Sequence, residues 1–258
     1  MGAMTFSIDV TMVELLRQAL PLSVFVETGT FEGDTVALVL SQFEEIHTIE
    51  LSHEYYARAL ERFRSNGSVT VYHDDSPRAL ASLRSRLEHE SVLYWLDAHW
   101  CVAKGTASAH SQCPLLSELE AIGTLNSESV IMIDDARLFL CTPPQPHETE
   151  NWPRFHEVIQ GLYSLSTSHE AMVINDVIVL FPAAIAGDVS KYARANSIDW
   201  FSSLRRLEVV TQALADRMAD INELRLEQEM LYRTAAERLT TIEELSKALK
   251  GERSRRRS

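Results

Sequence analysis

"AMVINDVIVLF", Ala171 to Phe181, holds two apolar runs with almost nothing between them. Asn175 and Asp176 at the join are turn-forming residues, and so short a connection closes only an antiparallel hairpin. Working back along the chain, "SVFVE", "EIHTIE", "VTVYH", "SVLYWLD" and "SVIMIDD" are five short runs rich in Val, Ile and aromatics, as buried strands are. Segments with helical spacing lie between them, among them "SHEYYARALERFRSN" and "CPLLSELEAIGTL". Strands alternating with helices predict a parallel sheet covered on both faces. The expected architecture over residues 10–182 is therefore α/β: a doubly wound seven-stranded sheet of five parallel strands and a terminal antiparallel hairpin.

From Asp199 the periodicity changes to sevens. One seam position holds Leu207, Leu214, Ile221, Gln228, Ala235, Ile242 and Leu249; its companion holds Val210, Arg217, Leu224, Leu231, Arg238 and Leu245. Charges crowd the flanks, and neither Gly nor Pro interrupts the run before Gly251. This predicts a C-terminal coiled-coil helix over 199–250 and a homo-oligomer built through it. A long helix folded back on its own domain is the alternative. Residues 251–258 form a basic tail whose "ERSRRRS" is either a solvated end or a contact for an acidic partner or anionic lipid.

The 258-residue chain is 45% hydrophobic, enough for one full-sized domain and an appendage. Its formal net charge of -13 disfavours a nucleic-acid surface, which needs clustered Lys and Arg. No apolar run approaches the ~20 residues of a membrane span, and no N-terminal signal pattern is visible. The opening "MGAM" has the look of a vector remnant before the native start. Cys101, Cys113 and Cys141 make an odd count that argues against a disulfide framework, so a reducing cytoplasm is expected.

Ligands of open parallel sheets bind at the carboxyl ends of the strands. After the first strand comes Glu27-Thr28-Gly29-Thr30-Phe31-Glu32-Gly33-Asp34-Thr35, where Gly29 permits a tight turn and Gly33 a close backbone approach. The second strand ends at Glu50, about 20 residues past the glycine turn, where an acid can accept hydrogen bonds from ribose hydroxyls. The third ends at His73, Asp74, Asp75 and Ser76, which also suit a helix cap. The fourth yields Asp97 and His99, and the fifth Asp134 and Asp135. Five acid-tipped strands make a crevice that is costly unless a cation or hydroxyl donors occupy it.

These residues resemble a class I S-adenosylmethionine-dependent methyltransferase. "VFVETGTFEGDT" is similar to that family's first motif, with its glycines reduced to Gly29 and Gly33. Glu50 matches the acid that holds the cofactor ribose, and Asp74, Asp75 and Ser76 match the segment beside adenine. The hairpin matches the antiparallel sixth and seventh strands that separate this fold from dinucleotide-binding dehydrogenases. The resemblance covers about residues 10 to 182 and implies a methyltransferase-like domain over 5–198. Its implied cofactor contacts are Glu27, Thr28, Gly29, Thr30, Gly33, Thr35, Glu50, Leu51, Asp74, Asp75, Ser76 and Asp97.

Within that class, "LDAHW" followed by "IMIDDA" is similar to the metal-dependent O-methyltransferases of the catechol and macrolide-sugar types. The resemblance implies Asp97, Asp134 and Asp135 as ligands of Mg²⁺, which favours oxygen donors and lowers the pKa of a bound hydroxyl. It implies His99 as the catalytic base beside Asp97, with a metal ligand or a core histidine as the other readings of that residue. Ala98 departs from the catechol pattern, in which acid, histidine and tryptophan run consecutively before a catalytic lysine, and Lys104 lies too far along to match. His99, Cys101, His110 and Cys113 offer a rival zinc set, although their spacing matches no standard finger. Residues 105–112 and "CTPPQPHETENWP" are expected as flexible loops over the cleft, with Trp100 and Trp152 as walls of the acceptor pocket.

The function this implies is an S-adenosylmethionine-dependent O-methyltransferase acting on a hydroxyl of a small molecule, a sugar or a glycan. The contrasting reading is an inactive scaffold of the same fold that works through its coiled coil. A dehydrogenase shares the Glu50 logic but is disfavoured by the hairpin and the acidic pair after the fifth strand.

Overall fold

The computed structural model describes residues 8–100 and 112–255, the last five by backbone alone. The chain divides into two compact units with the boundary between Ser197 and Ile198. In the first unit, α1 (Val10–Ala19), β1 (Val24–Thr28), α2 (Asp34–Val39), β2 (Glu45–Glu50), α3 (His53–Phe63) and β3 (Val69–His73) come first. They are followed by α4 (Ser76–Leu87), β4 (Val92–Leu96), α5 (Leu115–Ile122), β5 (Val130–Ile133) and α6 (Arg137–Leu140). The unit closes with α7 (Phe155–Leu165), β6 (His169–Ile174), β7 (Val177–Pro182) and α8 (Ala186–Asn196).

Local chemistry marks several of these boundaries. Asp9 caps α1 by accepting from the Thr11 amide at 2.9 Å, and Arg17 complements the carbonyls of the last turn. Asp75 precedes α4, and Pro77 sits in its first turn, where a missing N–H leaves no intrahelical bond unmade. Glu157 accepts from the Arg154 amide at 2.7 Å and fixes the start of α7.

The seven strands form one sheet in the order β3-β2-β1-β4-β5-β7-β6. β1 to β5 run parallel, and β7 runs antiparallel to both β5 and β6. Ile174 pairs with Val177 across the Asn175-Asp176 turn, with Asn175 in the left-handed region at φ 55°. The five parallel strands, the hairpin and the long C-terminal helix are those expected from the sequence.

Both faces of the sheet are covered, which explains the unbroken apolar runs. Val24, Val26, Tyr94 and Leu96 pack with Leu80, Leu119 and Leu162 of α4, α5 and α7. Phe25, Leu93 and Trp95 pack on the other side with Val13, Val36, Ala59 and Val189 of α1, α2, α3 and α8. Full burial of such a side chain contributes about 1.5–3 kcal/mol, more than the ~1 kcal/mol that β propensity spans, so two-sided burial is what fixes these strands.

In the second unit, α9 spans Trp200–Arg255 without interruption. Its seam residues Leu207, Leu214, Ile221, Leu224, Leu231, Ile242 and Leu245 are all exposed. Among the described residues no helix is long and apolar enough to cross a membrane.

Candidate functional site

Strand register brings the five carboxyl ends to one edge. Thr28 lies level with Ile49 and Leu96, Glu50 with His73, and Leu96 with Ile133. The residues that follow extend the ladder: the Asp74 amide donates to the Glu50 carbonyl at 3.2 Å, Asp97 to Thr28 at 3.1 Å, and Asp134 to Leu96 at 3.2 Å. Chain direction across the sheet reverses between β1 and β4, one leading out to β2 and the other to β5, which opens a crevice there. The acids thus line the edge in the order Asp74, Glu50, Asp97 and Asp134.

The loop after β1 is held from three sides. Gly29 has φ +84°, and a Cβ there would come within 2.3 Å of the Asp97 carbonyl oxygen, so the adjoining strand end requires glycine on both counts. Glu50 is nearly buried; its Oε2 accepts from the Phe31 amide at 2.8 Å and its Oε1 from the Ser52 amide at 2.7 Å. That carboxylate ties the glycine loop to the end of β2. Beneath the loop the Thr48 hydroxyl donates to Glu27, so in the 2.6 Å contact between Thr30 and Thr48 the proton comes from Thr30. Glu27 is buried to 1% exposure, and burial pushes its pKa up to about 8 against the Thr48 hydrogen bond, with the Asp97 charge adding to the rise. Gly33, at φ +77°, leads into α2 against the Phe63 ring.

Beside the end of β3, Leu51, His73, Asp74, Asp75 and Arg78 line an open hollow of about 340 Å³. The His73 ring stacks on Tyr56 at 4.7 Å, and Arg78 pairs with Asp74 at the rim, holding that carboxyl below its ordinary range. Ser76 is buried and hydrogen-bonds Glu118 of α5, which also meets Thr28. Glu118 is 1% exposed, its Oε1 has no partner among the described residues, and burial raises its pKa against those two hydrogen bonds.

Beyond β4 and β5 acids and bases alternate. His99 Nε2 lies 2.8 Å from Asp135 Oδ2 and 3.5 Å from Asp97 Oδ1. Asp135 Oδ1 accepts from Arg137 at 2.5 Å, and the same guanidinium pairs with Asp176 in the β6–β7 turn. Asp176 also accepts from the Arg137 amide at 2.9 Å, and its carbonyl accepts from the Ala136 amide at 2.8 Å. Asp135 has φ 53°, a left-handed conformation that Asp tolerates better than most side chains. Its amide donates to Asp134 Oδ1 at 2.8 Å.

Burial disfavours the His99 imidazolium, but the Asp135 hydrogen bond and the charges of Asp97, Asp135 and Asp134 outweigh it and raise its pKa to about 9. Burial pushes on Asp135 too, yet His99 and Arg137 hold its carboxyl well below the usual carboxylate range. Asp134 is raised by burial and by the neighbouring Asp135. Asp97 is raised by burial against the pull of His99, while its side chain keeps 31% of its surface exposed; that of His99 keeps 5%.

The residues singled out in the sequence thus fall into two groups along one edge. Glu27, Thr28, Gly29, Thr30, Gly33, Thr35 and Glu50 surround the glycine loop, with Leu51, Asp74, Asp75 and Ser76 next to it, while Asp97, His99, Asp134 and Asp135 form the second group. Among the described residues no three His, Cys, Asp or Glu side chains are arranged to hold a metal ion. Of the rival zinc set, Cys101 and His110 lie outside the described residues, and burial pushes the Cys113 thiol up to about 12.

One expectation is corrected. Trp152 is buried, packs on His99 at 5.7 Å and Phe139 at 5.5 Å, and donates Nε1–H to Gln112 Oε1 at 3.0 Å, so it backs His99 rather than walling an open pocket. Gln112 Oε1 also accepts from the Glu148 amide at 2.8 Å. Residues 105–111 of the other expected loop lie outside the described residues. Glu118, Arg137, Asp176 and Arg78 were not foreseen. Only Arg137, two positions past the acidic pair, carried a local hint.

No protein-family model and no curated protein matches this chain. Among solved structures, a Streptococcus mutans protein described as a methyltransferase in complex with SAH is 12% identical, with TM-score 0.47 over 67% of this chain and 97% of its own. A Staphylococcus aureus protein described as a caffeoyl-CoA O-methyltransferase is 10% identical, with TM-score 0.46 over 68% of this chain and 85% of its own. DesVI of Streptomyces venezuelae is 11% identical, with TM-score 0.45 over 67% of this chain and 90% of its own.

Proposed function

We propose that this chain is an S-adenosylmethionine-dependent methyltransferase that transfers a methyl group to a hydroxyl of a small molecule or glycan. The observation that carries the reading is one run of the sheet edge. The glycine loop after β1, the Glu50 carboxylate at the end of β2 and the hollow with an acidic rim beside β3 follow one another along it.

The residues fit the cofactor. Glu50, Leu51, Asp74 and Asp75 would receive its nucleoside, Gly29 and Thr30 would lie along its tail, and Glu27 beneath them would hold the loop in shape. When bound, S-adenosylmethionine supplies an activated methyl group, which passes to the acceptor oxygen as the carbon–sulfur bond breaks and a neutral thioether remains. Asp97 takes the proton of the acceptor hydroxyl on its carboxylate. Its side chain keeps more surface open than those of His99 and Asp135, and burial lifts its affinity for protons toward the neutral range where a base works best. His99, with Nε2 committed to Asp135, orients and charge-balances Asp97 rather than acting as the base.

The Mg²⁺ implied by resemblance fits this donor set poorly. Both oxygens of Asp135 are engaged by His99 and Arg137, and no step is routed through a metal. Transfer is assigned to residues 5–198 and self-association to residues 199–250. There α9, with 56 residues at ~1.5 Å rise, makes a rod of roughly 84 Å whose apolar seam a second copy would cover.

Calorimetry with S-adenosylhomocysteine tests the core of the reading. We expect binding by the native chain and at least tenfold weaker binding by Glu50→Ala. Folded protein that takes up neither S-adenosylhomocysteine nor S-adenosylmethionine removes the proposal.

A further inference from the structure

We infer that the acidic edge beyond β4 and β5 is occupied from within, by His99 and Arg137, and takes no divalent cation. Resting on the methyltransferase reading, this makes transfer at the site metal-independent and makes Arg137 a positioning residue. Three observations support it.

The first is where His99 lies. Its Nε2 stands between Asp135 Oδ2, at 2.8 Å, and Asp97 Oδ1, at 3.5 Å, two of the carboxylates an ion would have to bridge. A magnesium ion demands near-octahedral oxygen donors at about 2.0–2.1 Å, and an imidazole nitrogen in that gap leaves no room for it. The ring is not free to swing away, being packed edge-on against Trp152 and Phe139 with 5% of its side chain exposed.

The second is the state of the donors. Asp135 gives one oxygen to His99 and the other to Arg137, and Asp134 Oδ1 accepts from the Asp135 amide. An incoming ion would have to displace an imidazole, a guanidinium and an amide before meeting the oxygens it needs.

The third is how Arg137 is held. Asp176, 4% exposed in the turn between β6 and β7, binds both its guanidinium and its backbone amide. Asp176 has no role in the cofactor crevice. Its burial accompanies the cation it holds at one place, and the row Asp97–His99–Asp135–Arg137–Asp176 alternates carboxylate and nitrogen donor along its whole length.

Mn²⁺, read by electron paramagnetic resonance on the full chain, tests this directly, with S-adenosylhomocysteine calorimetry run on the same samples. We expect no specific Mn²⁺ binding by the native protein and no effect of a chelator on cofactor binding. His99→Ala combined with Arg137→Leu, which removes both occupants, should gain a Mn²⁺ site at least tenfold tighter than any native binding, and Arg137→Lys, which keeps the ring and the charge, should not. One Mn²⁺ per native chain that disappears in Asp135→Asn overturns the inference. So does a folded double variant with no gain. If the double variant does not fold, the native measurement decides alone. Failure to bind S-adenosylhomocysteine without any Mn²⁺ site would sink the methyltransferase reading and leave this one standing.

Discussion

Replacing Glu27 by Gln should flatten the pH dependence of stability. Glu27 is buried beneath the glycine loop, and its pKa is raised from 4.5 to about 8. Between those two values the unfolded chain has released this proton while the folded chain keeps it, so the folded state binds more protons and stability falls as pH rises. The slope is ~1.4 kcal/mol per pH unit, and across the window the loss approaches about 5 kcal/mol as an upper bound. Gln has nearly the same shape, can still accept from the Thr48 hydroxyl, and cannot ionise. Urea unfolding of ligand-free protein at pH 5, 7 and 8.5, with the m-value checked for constancy, provides the measurement. Apart from Asp97, whose charge is coupled to that of Glu27, the other groups with raised pKa act alike in both proteins, so the difference between the profiles reports Glu27 together with that coupling. The variant should match the native chain near pH 5 and exceed it by a few kcal/mol at pH 8.5. Parallel profiles would refute the reasoning, because they would mean that Glu27 ionises as readily folded as unfolded.

Gly29→Ala forces a side chain into φ +84° and against the Asp97 carbonyl, and should cost about 2–4 kcal/mol in urea unfolding; a change below ~0.5 kcal/mol would show that the two strand ends separate freely. Gln112→Leu strips Trp152 Nε1 and the Glu148 amide of their shared acceptor and should cost roughly 1–3 kcal/mol, with a changed near-ultraviolet signal from the tryptophan; an unaltered spectrum counts against that contact. If α9 pairs as proposed, the native chain sediments as an oligomer, and Leu224→Lys with Leu231→Lys, which places two charges in the α9 seam, should yield monomer in sedimentation equilibrium without altering cofactor binding; equal mass for native and variant would refute pairing through that seam.

The chain by itself determined the elements of the sheet and the character of its edge. Val-, Ile- and aromatic-rich runs ending in acids, a two-residue turn at Asn175-Asp176 and a change to seven-residue spacing after Asp199 are all local signals. Each is set by the geometry of one strand, one turn or one helix, so "SVLYWLD" and "SVIMIDD" disclosed Asp97 and Asp134 before any pairing was known. What the tertiary structure alone decided is the company those acids keep. His99 meets Asp135 across 36 positions, Arg137 meets Asp176 across 39, and Gln112 meets Trp152 across 40. Such meetings depend on strand order and register, which bring together turns far apart in the chain, and no periodicity encodes them. For the same reason Asp135, one of an acidic pair that resembles a metal site in sequence, is found already bound to a histidine and an arginine. Electrostatic partners are chosen by distance in space, and spacing along the chain reports that distance only within a single element.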